Sequence, residues 1–306
     1  MADAAVPVRE VGPSDPVRPE QGRDAAASKG LRLGYNTNGF AHHRLLDALA
    51  VIAETGYRAV GITLDVHHLD PFASGHQAEL IAVGDACRAL DLLPVIETGA
   101  RFLLDARRKH RPTLLADSAR ERAVRVDFLA RAIDAAAAIG APVVSLWSGA
   151  ADDDPGVDAL DDRLAAELRL VCARARAAGV VIGFEPEPGM YVEDMTAFAR
   201  LRAKVDDAAF KLTLDVGHAH LTEAEGAVAT VQAWASEVVN AHVEGMRRGL
   251  HDHLVPWDGD LDVRAAVAAL QDVGFTGPAC LELSRHSHDV ARVARQAFDF
   301  LAAPAS

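Results

Sequence analysis

Four residues of strongly ligand-forming types stand at the ends of short apolar runs in the second half of the chain. They are Glu185 after VVIGF, Asp215 after FKLTL, His242 in VVNAHV and Glu282 in PACLEL. Two Glu, one Asp and one His form a hard, oxygen-rich donor set that suits Mn2+, Mg2+, Co2+ or Zn2+ and leaves open positions for substrate oxygens. Such a set fits removal of a proton from carbon beside a carbonyl. The cation stabilises charge building on the carbonyl oxygen while a carboxylate takes the proton. A second carboxylate on the opposite side permits epimerisation. Any one of the four alone reads equally well as a solvated or helix-capping residue, since polar side chains are common at strand ends. Their recurrence at successive strand ends is what favours chemistry.

For the four to meet, their runs must be parallel strands of one sheet. Eight short apolar runs alternate with longer segments of helical period: 31–35, 59–64, 92–97, 142–147, 180–185, 210–215, 238–243 and 278–283. In segments such as RVDFLARAIDAAAAIG and DRLAAELRLVCARARAAG, apolar residues recur every three or four positions and Gly closes the helix. Eight βα units, with neither GxGxxG nor GxxxxGK[ST] after the first run, favour a closed α/β fold, the (β/α)8 TIM barrel, over an open nucleotide-binding sheet. Residues 1–29 mix Pro, Asp, Arg, Ser and Ala without apolar period and are predicted to be a disordered tail. Residues 30–306 form the single catalytic barrel domain, near the roughly 250 residues usual for this fold. The longest connections, His67 to Gln77 and Thr98 to Ser118, follow the second and third runs. In such a barrel they belong to the face that builds the site.

Thirty-one Lys and Arg against 44 Asp and Glu give a net charge of −13, the wrong sign for a general nucleic-acid or anionic-membrane binder. No stretch approaches the roughly 18 to 20 apolar residues of a membrane span, and 1–29 lack a secretory apolar segment, so a cytoplasmic protein is expected. Cys87, Cys172 and Cys280 form no Cys-x-x-Cys pair and read as small buried hydrophobes. The expected partner is a small carbohydrate-like molecule, and a homo-oligomer is compatible with the sequence.

The motifs GFEPEPG around Glu185, LTLDVGHAHL with Asp215 and His218, NAHVEG with His242 and Glu244, HDHLVPWDGDLD, and GPACLELS around Glu282 resemble those of the xylose isomerase-like TIM barrels. That superfamily includes sugar-phosphate isomerases, ketose 3-epimerases and hydroxypyruvate isomerase, with apurinic-site endonucleases more distant. The likeness covers roughly residues 31–302 and is specific for the superfamily rather than for one substrate. It implies one divalent ion, Mn2+ foremost and Mg2+, Co2+ or Zn2+ as alternatives, held by Glu185, Asp215, His242 and Glu282. It also implies that Glu185 and Glu282 exchange protons with the substrate through an enediolate, and that His218 touches a substrate hydroxyl. Arg248 sits where ketose epimerases often carry a substrate-binding Arg. The activity implied is a metal-dependent isomerase or epimerase of a sugar, sugar phosphate or related polyhydroxy carbonyl compound. Two departures stand out. The second strand lacks the usual terminal Glu, acidity appearing only at Asp65, and the second substrate Glu of the epimerases has Glu187 and Glu193 as its candidates.

Further candidates come from the residues themselves. His67, His68 and Glu97 end the second and third units and would face the barrel mouth, as would Tyr35 and Asn36. Trp147 could wall a sugar ring or pack the barrel top. Arg101, Arg107, Arg108, Lys109 and Arg111 make a basic loop that reads as a solvated charge run or as a binder of phosphate or carboxylate. Two other activities fit the same site: an apurinic endonuclease-like phosphodiesterase, to which His251 and His253 could add metal ligands, and a lyase or deglycosidase that expels a group beta to a carbonyl.

Overall fold

Runs such as VVIGF and PACL, apolar on both faces, need cover above and below the sheet, and a barrel ringed by helices supplies it. The computed structural model of the chain describes residues 30–303, so the predicted tail, 1–29, lies outside the described residues. The strands are β1 (Arg32–Asn36), β2 (Ala59–Thr63), β3 (Leu93–Glu97), β4 (Val143–Leu146), β5 (Val181–Phe184), β6 (Phe210–Asp215), β7 (Val238–Val243), β8 (Gly245–Arg247), β9 (Leu250–Leu254) and β10 (Pro278–Leu281). Eight of them close a parallel barrel in the order β1-β10-β7-β6-β5-β4-β3-β2. β8 and β9 form a separate antiparallel hairpin after β7. The register between the last and first barrel strands runs from Arg32 opposite Pro278 to Tyr35 opposite Leu281, which seals the cylinder.

Nine α-helices surround the strands among the described residues: α1 (Leu45–Thr55), α2 (His76–Ala89), α3 (Ala119–Ile139), α4 (Val157–Ala178), α5 (Met195–Val205), α6 (Val216–Thr222), α7 (Gly226–Trp234), α8 (Val263–Asp272) and α9 (Val290–Ala302). In α3 the buried Phe128, Leu129, Ala132, Ile133 and Ala136 repeat every three or four residues and face the barrel core. The helix stops at Gly140, whose φ of 80° suits a left-handed cap, its N–H bonding to Ala136 O. No helix among the described residues is long and apolar enough to cross a membrane.

Inside the barrel, beneath the mouth, the packing turns polar. Thr213 Oγ1 donates to Ser145 Oγ at 3.1 Å, and Asn240 Nδ2 donates to Glu97 Oε1 at 3.0 Å. Glycine makes this layer fit: a Cβ at Gly183 would lie 2.3 Å from Thr213 Oγ1, and one at Gly61 would lie 1.8 Å from Asn36 Oδ1. Burying polar groups is costly unless they pair, and the pairs Thr213 with Ser145 and Asn240 with Glu97 form across strands.

Candidate active site

The sequence Asp-Val-Gly-His after β6 sets the geometry of its own two polar residues. Asp215 ends the strand and caps α6, its Oδ1 accepting from His218 N at 2.7 Å. That leaves Oδ2 buried and without a hydrogen-bond partner, turned to the same side as the His218 ring, whose Nε2 is 3.6 Å away. The neighbouring strand places His242 opposite Asp215, and β10 places Cys280 opposite His242, so Glu282 follows at the rim. Glu185 N donates to Leu146 O at 2.8 Å, extending the β4 ladder one residue past β5.

The four side chains converge. Glu185, Asp215, His242 and Glu282 each offer one ligand atom, and these atoms all lie within 4.8 Å of one another. His242 Nδ1 is 3.1 Å from Glu185 Oε1 and 3.1 Å from Glu282 Oε2. Its Nε2 is 3.0 Å from Glu97 Oε1. A carboxylate behind a histidine fixes its tautomer and leaves the other nitrogen free to bind a cation, so Glu97 suits the support of His242. Asn38 Nδ2, in the short 3-10 turn after β1, donates to Glu282 Oε1 at 2.8 Å and steadies the other oxygen towards His242. Three carboxylates and one imidazole, with the orphaned Asp215 Oδ2 among them, fit a divalent ion by donor chemistry.

The acids differ because their neighbours differ. Burial is the largest influence on Glu185 and raises it well above the usual carboxylate range, with the charges of Glu282 and Asp215 adding to the rise. For Glu282 burial acts in the same sense, but the charge and hydrogen bond of His242 outweigh it and hold the group below that range. His242 is itself raised well above the histidine range: burial opposes this, and Glu97, Glu185 and Glu282 override it. Burial pushes His218 down to about 4, so its ring is neutral at pH 7. Glu244 is fully buried beside Asp215, and burial together with that charge raises it. Its Oε1 accepts from Gly217 N at 3.1 Å.

Above the cluster opens a cavity of about 380 Å3, lined by Asn38, Glu97, Glu185, His218, His242 and Glu282 at its floor. This lies at the small end of the roughly 300 to 1,000 Å3 usual for small-molecule sites. Trp147, Glu187 and Asn36 line it as well, and burial raises Glu187 to about 8. His67 and Arg248 are exposed and do not line it; Arg248 sits at the hairpin turn, its N–H bonded to Asp260. His68 is buried, its Nε2 3.0 Å from His43 O, and Asp65 accepts from Val66 N in the same turn. Tyr35 is buried in the apolar core against Phe40 and Tyr57. Glu193 lies beside the Gly189 backbone.

Two contributors carry no local sequence signal. Asn38 reaches Glu282 across 244 residues of chain, and Asn240 meets Glu97 across 143. The hairpin brings His251 Nε2 to 2.9 Å from His218 Nε2, and His218, His251 and His253 offer ligand atoms within 4.8 Å of one another. Arg101, Lys109 and His110 of the β3–α3 loop, with Arg285, complete the rim. Arg108 and Arg111 of the same basic run instead pair with Asp105, Glu121 and Asp152.

A family model described as Xylose isomerase-like TIM barrel matches residues 49–303. No curated protein sequence matches the chain. Among solved structures, the chain is similar to D-allulose 3-epimerase from Methylomonas sp., at 17% identity and a TM-score of 0.70 over 89% of this chain and 97% of that one. It is similar to the IOLI protein with a bound zinc atom, at 16% identity and a TM-score of 0.71 over 89% and 96%. It is also similar to the probable 3-DHS dehydratase AsbF from Bacillus anthracis, at 14% identity and a TM-score of 0.71 over 90% and 100%. At these identities the likeness shows the fold alone.

Proposed function

Because this chain belongs to the xylose isomerase-like TIM barrel family, we propose that it is a divalent-metal-dependent isomerase or epimerase of a small polyhydroxy carbonyl compound. The observation that carries this reading is the convergence of one donor atom each from Glu185, Asp215, His242 and Glu282 within 4.8 Å at the floor of a small cavity. A divalent ion, Mn2+ foremost, would be held by these four and would polarise the carbonyl beside the proton-bearing carbon. The chain's own residues supply the rest. Glu185 and Glu282 approach His242 from β5 and β10, so a proton removed by one carboxylate can be returned by the other. Asn38 fixes Glu282, and Glu97 fixes His242, so neither must reorganise during the reaction. His218 stays neutral and can hydrogen-bond a substrate hydroxyl. Trp147 gives the sugar an apolar wall.

A second reading is a metal-dependent phosphodiesterase, favoured by the His218, His251 and His253 cluster as a further ligand group. The net charge of −13 opposes it for a nucleic-acid substrate. One experiment separates the two. The purified chain is reconstituted with Mn2+, its bound metal is counted, and exchange of substrate α-protons with deuterated solvent is followed over a panel of ketoses and aldoses. About one ion per chain with exchange supports the isomerase; two or three ions with phosphodiester cleavage support the hydrolase; no ion after reconstitution overturns both.

A further inference from the structure

The cavity has two chemically opposite ends. At its floor lie the acids: Glu97, Glu185 and Glu282 face His242, and Asp215 lies beside the neutral His218. At its rim Arg101 and Lys109 line the same cavity, yet among the described residues neither side chain forms an ion pair or a hydrogen bond. The charge of Lys109 acts on Glu187, which lines the same cavity, but forms no ion pair with it. Their neighbours in the run differ: Arg108 and Arg111 are satisfied by Asp105, Glu121 and Asp152, and Arg107 is exposed and does not line the cavity.

The loop that carries them is built rather than loose. His110 N donates to Arg101 O at 2.6 Å, which closes the segment and brings the backbones of Arg101 and Lys109 together. Positive φ angles at Ala100 (38°) and His110 (63°), one beside each cation, set the directions in which the chain leaves the turn. Non-glycine residues adopt such angles only where the surroundings enforce them. The enforcement is visible. Arg125, 4% exposed on α3, donates from Nε to Pro112 O at 2.8 Å and from Nη2 to His110 O at 2.9 Å. His110 Nδ1 lies 2.7 Å from Gly99 O, and the His110 ring meets Trp147 edge-on at 5.2 Å between centroids.

We propose that Arg101 and Lys109 form a clamp for a terminal oxyanion, so that the substrate is an acidic sugar derivative: its carbonyl end lies at the Glu185 and Glu282 floor and its carboxylate or phosphate at the β3–α3 rim. This rests on the isomerase reading for the orientation of the substrate. An unpaired guanidinium offers a fork that matches either oxyanion, and a lysine adds a point charge beside it. Charge-assisted bonds of this kind favour the charged ligand by about tenfold or more.

The test uses the full chain reconstituted with Mn2+ and three probes alike in their ketose end: D-fructose, D-fructuronate and D-fructose 6-phosphate, with inorganic phosphate as a fourth. Binding is measured by calorimetry and α-proton exchange by NMR, in the parent, in Arg101→Met/Lys109→Met, and in Lys109→Met, whose side chain is exposed and whose loss leaves the fold alone. The expected result is at least tenfold tighter binding of one charged ketose than of D-fructose, falling to about onefold in the double variant and partway in the single one. Which charged ketose binds tighter separates carboxylate from phosphate. Equal binding of charged and neutral ketoses, a preference that survives the double substitution, or no binding of any anionic probe including inorganic phosphate overturns the clamp. Tight binding without α-proton exchange keeps the clamp and removes the isomerase reading, whereas exchange of D-fructose bound as tightly as its charged analogues does the reverse.

Discussion

Glu185, Asp215, His242 and Glu282 project from strands or from the first residue beyond one, whereas Arg101, Lys109 and His110 project from a loop held by the side chain of Arg125. In the first region the position of each group follows from the ladder of hydrogen bonds that closes the barrel, so it moves only if the sheet moves. In the second it depends on a few contacts from one buried guanidinium and one imidazole. The two regions meet in the same cavity but answer to different forces. Proton transfer needs fixed distances, which a sheet supplies; recognition needs a surface that can change without unmaking the fold.

The contrast is sharpest for the acids themselves. Glu185→Gln and Glu282→Gln keep shape and remove the basic oxygen, and each should lower α-proton exchange by about 10²- to 10⁴-fold with the far-UV spectrum unchanged. Exchange at the parent rate in both, with metal confirmed bound, would show that neither group takes the proton. A smaller effect is expected one layer out. Glu97→Gln should weaken Mn2+ binding about 10- to 100-fold in a calorimetric titration, because His242 loses the carboxylate that orients it; unchanged affinity would place Glu97 outside the metal's support.

On the loop side, Arg125→Met leaves the carbonyls of His110 and Pro112 without their donor, at a cost of about 1 to 3 kcal/mol in urea unfolding. Its signature should be a higher KM with kcat and metal affinity kept, and a matching fall in metal affinity would erase the distinction between the two regions. The smallest effect concerns pH. Burial, helped by Lys109, Arg125 and Arg101 against the bond to Gly99 O, lowers His110 to about 4. Between about 6.5, where an unfolded His titrates, and the folded value, the unfolded chain binds more protons. The stability due to neutral His110 is therefore present above that window and lost as pH falls through it. His110→Gln should accordingly show a smaller drop in urea midpoint from pH 7 to pH 5 than the parent; an identical drop would mean that His110 is not held neutral.

The same division governs what was legible in the sequence. The runs FKLTLD and VVNAHV coincide with β6 and β7, and the other six lie within two residues of their strands, because buried parallel strands are written as continuous apolar segments. The acids and His242 could be found because they end those segments. The hairpin strand LHDHL was missed since its residues are polar and only partly buried, leaving no apolar pattern to read. The resemblance to ketose epimerases points to Arg248 as a substrate contact, but the hairpin turns it to solvent. Arg101 and Lys109 could not be told from Arg108 and Arg111 by sequence, because the difference lies in which of them meets an acid from a distant segment.

β3 ends at Glu97, the carboxylate behind His242, and the next residue, Thr98, opens the loop that ends in α3. A single peptide bond thus separates the carboxylate that supports His242 from the loop that, on the proposed reading, would select the molecule. For protein engineering this is a splice point. On that reading, exchanging residues 98–118 for the equivalent loop of another barrel of this family would redirect selectivity, provided that Arg125 or a substitute reaches the grafted carbonyls. A splice one residue earlier would carry the oxygen under His242 away with the loop, and the graft would import a new preference into a barrel no longer equipped to act on it.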